Sequence, residues 1–65
     1  MNILATVEKV MSHIKDSEHK HTTLLTACSD KEIYSSFYSN FPDEMKELNV
    51  ASIKFEAGCI VLYVV

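Results

Sequence analysis

The residues with the most chemistry lie in the first half of the chain. His19 and His21 flank Lys20, with His13, Asp16 and Glu18 close by. Imidazoles and carboxylates are metal ligands. A His-x-His at a helix end, however, turns its two rings to different faces. The stretch reads more simply as a polar connector with solvated histidines, and neither metal nor cofactor is expected. At low pH, Lys20 with His19 and His21 would instead attract an anion. The threonines of 22–26 and the serines of 29–39 add hydroxyls. With Lys20 and Lys31 they can line a phosphate site that has no glycine-rich loop, helped by a helix N-terminus after Ser29.

Cys28 and Cys59 are the two thiols. Cys28 precedes that expected helix start, a setting that stabilises a thiolate. No glycine-rich oxyanion loop accompanies it, and buried core thiols are the plainer reading. Tyr34, Phe37, Tyr38 and Phe41 form an aromatic stripe; the plainer reading puts Phe37 and Phe41 in the core and the tyrosines at its edge, where they can alternatively stack a base or anchor a partner. Asp43, Glu44 and Glu47 suit the first turn of a helix better than acid–base chemistry. No catalytic constellation emerges.

Composition narrows the classes. At 65 residues and 48% apolar, the chain is one compact domain, 1–65, near the lower size limit for folding alone. Its charge is −3, and all six basic residues are lysines. Without arginine it lacks the bidentate fork that reads guanine and clamps phosphate, so binding to a nucleic acid duplex is not expected. Two distant cysteines do not make a disulfide scaffold. The start is amphipathic rather than a signal peptide. The longest apolar run is too short to span a membrane. A cytoplasmic protein with reduced thiols is expected.

The elements that position these residues follow from periodicity. Ile3, Leu4, Val7, Val10, Met11 and Ile14 predict a helix over 3–18, with Asn2 as its N-cap and an Asp16–Lys20 pair on its surface. Thr22–Cys28 reads as a strand, with helical continuation as the rival. Ser29-x-x-Glu32 has the form of a capping box, and the aromatic spacing predicts a second helix over 30–40. Pro42 suits the first turn of a short third helix. Residues 51–56 and 59–65 read as a hairpin, with Glu56-Ala57-Gly58 supplying the turn. The expected architecture is therefore α+β: a small three-stranded antiparallel sheet, made of the C-terminal hairpin and one further strand, packed by two helices and a short third one.

The last strand decides the functional reading. Ile60, Leu62 and Val64 point one way, while Cys59, Val61, Tyr63 and Val65 point the other, and neither set carries a charge. Two helices dry only one face of a sheet, so the second set is assigned to an oligomer interface. The leading expectation is a non-enzymatic binding protein that associates with itself, as a homodimer or larger ring, and blocks or adapts a partner protein. Its size and composition match inhibitor and accessory proteins of phages and mobile elements. The alternative is a homo-oligomeric sponge that sequesters a small anion such as a nucleotide between subunits, using Lys20, His21, Lys31, Tyr34 and Tyr38. A structural subunit of a larger assembly is the third possibility.

Overall fold

The computed structural model describes residues 5–65. It holds a five-stranded mixed sheet and two short α-helices. The strands are β1 (Ala5–Thr6), β2 (His21–Thr26), β3 (Glu32–Phe37), β4 (Asn49–Glu56) and β5 (Cys59–Val64). Their order across the sheet is β1-β4-β5-β2-β3. All neighbours are antiparallel except β2 and β5, which run parallel. The expected three-stranded antiparallel sheet under helices is thus corrected to a sheet-dominated fold.

The largest departure is at 30–40, where a strand and a 3-10 turn (Tyr38–Asn40) replace the second helix. Asp30 adopts the left-handed conformation, φ 55°, which an N-capped helix cannot follow there. Ser29 does not cap. Its hydroxyl pairs with that of Thr26 at 2.6 Å, and the backbone N–H of Lys31 donates to Thr26 Oγ1 at 3.1 Å. Thr26 thereby closes the turn between β2 and β3. Ile33, Tyr34, Phe37 and the intervening serines suit a pleated surface once β2 offers an edge to pair with.

The first helix is also shorter than its apolar stripe. It runs Val7–Ser12, here α1, and Thr6 caps it by accepting from the Lys9 N–H at 3.2 Å. Ala5 and Thr6 pair instead with β4. Asp16 turns left-handed, φ 58°, and a 3-10 turn follows over Ser17–His19. The Asp16–Lys20 helical pair therefore has no helix to sit on. The expected cap Asn2 and core residues Ile3 and Leu4 lie outside the described residues. Pro42 stands at the N-cap of the second helix, α2 (Asp43–Lys46), one position before the expected site. The hairpin lies where the sequence placed it, with Glu56 opposite Cys59 and Gly58 at φ +73°.

One face of the sheet holds the core. Leu24, Ile60, Leu62, Val64 and Val50 pack against Val7 and Met11 of α1 and against Phe41. Met45 and Leu48 pack at its margin. At 1.5 Å per residue, α1 is only about 9 Å long, against about 27 Å for the eight residues of β4. Ile53 and Phe55, which pair in register with core residues Leu62 and Ile60, consequently remain 39% and 64% exposed. Among the described residues, no helix is long and apolar enough to cross a membrane.

Candidate functional site

Residues directly opposite one another in adjacent strands share a face. The register therefore lays out the second face as three rows running from β4 through β5 and β2 to β3. The first row is Glu56, Cys59, His21 and Phe37. The second is Lys54, Val61, Thr23 and Ser35. The third is Ser52, Tyr63, Leu25 and Glu32, with Ile33 as the extra residue of a bulge in β3. No described element packs over this surface. The core cluster, with both α-helices, lies on the other side.

The β5 column of the open face is apolar, β2 adds Leu25 beside His21 and Thr23, and the flanks are polar apart from Phe37. Val61 is buried, Tyr63, Leu25, Thr23 and Cys59 are half-buried, and Phe37 is 51% exposed. Lys54 pairs with Glu56 at 3.4 Å on the β4 flank. Across β2 and β3, His21 Nε2 lies 3.3 Å from Ser35 Oγ, which lies 3.0 Å from Thr23 Oγ1. The His21 ring meets Phe37 edge-on, with centroids 5.8 Å apart. Ser35 and His21 stand at the distance of a nucleophile and its base. Yet an aromatic ring, not a carboxylate, flanks the imidazole, and Ser35 lies mid-strand rather than on the sharp turn that presents a nucleophile. The trio serves as polar cross-strand pairing.

Of the residues assigned to an oligomer interface, Cys59, Val61 and Tyr63 lie in one column of the open face. Val65 follows the end of β5, its N–H donating to the Asn49 carbonyl at 3.0 Å, and is 66% exposed. The five residues assigned to ligand or partner binding do not converge. Lys20 and His21 stand at the start of β2, whereas Lys31 lies in the turn beyond its far end, about 16 Å away for a six-residue strand. Tyr34 and Tyr38 belong to the covered side, packed on Phe41 at centroid distances of 5.0 and 5.3 Å. The Tyr34 hydroxyl donates to the Asn40 carbonyl at 3.4 Å. The Tyr38 phenol is pushed above its ordinary value of 10, first by burial and then by the negative charge of Glu8. Lys46 Nζ sits 5.4 Å from the Tyr38 ring centroid, a cation–π contact.

A cavity of about 580 Å³ opens where β2 and β5 end, lined by Thr26, Ala27, Cys28, Ile33, Leu48, Val64 and Val65. None of these side chains is charged, and the Thr26 hydroxyl is already engaged with Ser29 and Lys31. Cys28, expected in the core, is exposed in the turn, because β2 ends two residues before it. Both thiols are free. The described residues contain no group of three or more His, Cys, Asp or Glu side chains placed to hold a metal ion.

The sequence reading missed Leu25, Ser35 and Phe37 as members of the open face. The strand read over Thr22–Cys28 already sets Leu25 on the face opposite Leu24, since neighbours in a strand point opposite ways. Ser35 and Phe37 were hidden by the helical spacing of their neighbours. Comparison with protein-family models, curated proteins and solved structures finds no match to this chain.

Proposed function

We propose that this is a small, non-enzymatic, cytoplasmic binding protein that associates with itself through the open face of its sheet and blocks or adapts a partner protein. One observation carries the reading: β5, the middle strand of the sheet, is apolar on both sides, yet both α-helices lie on one side. In a lone chain, Tyr63, Leu25 and Cys59 keep part of their surface in water, and covering it contributes about 25 cal/mol per Å² of apolar area. The two unpaired thiols fit a reducing compartment. The sponge reading gains less, since Lys20 and Lys31 stand at opposite ends of β2, Tyr34 and Tyr38 lie on the covered side, and the cavity at the ends of β2 and β5 has no charged side chain.

Native mass spectrometry, followed by denaturation of the same sample, tests the proposal. A clean multiple of the chain mass supports it. Additional mass that leaves on denaturation would favour the sequestering alternative. A stable monomer at high concentration would refute self-association.

A further inference from the structure

We infer that the occupant of the open face is a second copy of this chain, related by a two-fold axis parallel to the strands, so that β4 of each copy lies over β3 of the other. The inference rests on the self-association proposed above and adds its geometry. Separate sheets that stack in the aligned class keep their strand directions within about 30°, whereas orthogonal packing has corners made by strands that pass from one sheet to the other. A two-fold axis in the interface then has two aligned settings, along the strands or across them. The charges on the face separate these settings.

The face carries one cation, Lys54, in the middle row of the β4 flank. It carries two carboxylates: Glu56 beside that lysine, and Glu32 at the corner of the β3 flank. With the axis along the strands, the rows stay aligned and the flanks exchange. The partner's Glu32 then lies over Ser52, one row from Lys54, and the contact occurs twice by symmetry. Every carboxylate on the combined surface has a lysine in reach. Between the flanks, Val61 faces the partner's Thr23 and Tyr63 faces the partner's Leu25. With the axis across the strands, Lys54 stacks on the partner's Lys54, and Glu32 lies over the partner's Phe37 with no lysine in a neighbouring row. Like charges placed face to face select against that setting.

The footprint sets the strength. Four strands at about 4.8 Å and three rows at about 6.6 Å span roughly 19 by 20 Å, small beside a standard interface of about 800 Å² per partner. A concentration-dependent monomer–dimer equilibrium follows, rather than an obligate dimer.

Sedimentation velocity across a concentration series measures the dissociation constant of the wild type. It is then repeated on Tyr63→Lys, Lys54→Glu, Glu32→Lys and the double variant. Lys54 and Glu32 are exposed, so these variants retain the fold, which far-UV circular dichroism checks. Tyr63→Lys is expected to abolish dimerisation. Each single charge reversal should weaken it about tenfold, and the double reversal should return it to within about threefold of wild type. Raised salt should weaken the wild-type dimer. A wild type that stays monomeric overturns the underlying reading together with this geometry. A wild-type dimer indifferent to Tyr63→Lys keeps self-association and refutes this face. A dimer weakened by Tyr63→Lys and Lys54→Glu but unaffected by Glu32→Lys keeps the face and refutes the axis.

Discussion

Gly58 offers a test of the backbone that places β5, because side-chain packing does not enter. Its φ is +73°, and a Cβ built there meets nothing within 4 Å. Replacement by L-alanine therefore carries only the conformational cost of the left-handed region, about 1–2 kcal/mol. For a domain of this size, 1 kcal/mol corresponds to about 4–8 °C, so Gly58→Ala should lower the melting temperature by about 4–16 °C. D-alanine prefers positive φ and removes freedom from the unfolded chain, which should raise stability by about 0.4–1 kcal/mol, or about 2–8 °C. A chain of 65 residues is accessible to chemical synthesis, so both versions can be melted side by side by circular dichroism. Protein concentration must be held fixed, since association shifts the transition. Equal destabilisation by both enantiomers, or none by the L form, would refute a left-handed residue 58 and the pairing of Glu56 with Cys59.

Asp30 is in the same backbone region, φ 55°, at the turn between β2 and β3. Asp30→Gly should raise stability by up to about 1 kcal/mol in urea titrations, since it relieves that strain. Leu62 is fully buried in a central strand, and truncation to alanine should cost about 2–5 kcal/mol. A core this size rarely supplies more than about 3–5 kcal/mol. Leu62→Ala should therefore be largely unfolded at 25 °C by circular dichroism, whereas Ile60→Val, at about 0.5–1.5 kcal/mol, should stay folded. Tyr38 should ionise above its ordinary value when tyrosinate absorbance is followed, and Tyr38→Phe should remove that late step. Folding favours its neutral phenol. This contribution is intact below the unfolded value of about 10 and is lost as pH rises through the higher folded value. Glu8→Gln should bring the late step partway down, removing the lesser of its two causes.

The hairpin, and the division of β5 into Ile60, Leu62 and Val64 against Cys59, Val61 and Tyr63, were legible because alternation has one physical meaning in a strand. The second helix was misread because Ile33, Tyr34, Phe37 and Tyr38 fit a helical face by spacing alone. Ser29-x-x-Glu32 satisfied a capping rule whose hydroxyl was instead taken by Thr26. What decided between the readings was pairing with the neighbouring strand β2 across the turn, which a count of helical spacings does not register. The first helix was too long for a related reason: Ala5 and Thr6 bond to β4, some forty residues away in sequence. The parallel pairing of β2 with β5, which gathers His21, Thr23 and Leu25 beside Cys59, Val61 and Tyr63, likewise has no local signature.

The position of β5 also bears on how the fold closes. It is the last of the five strands in chain order and the middle one in space, holding β4 on one edge and β2 on the other. Until β5 docks, the inner edge of β2 is unfilled, an unpaired strand edge of the kind that recruits other chains. Two copies that exchange β5 before each closes on its own form a swapped pair, so the element that completes the fold also opens a route to strand-swapped assemblies.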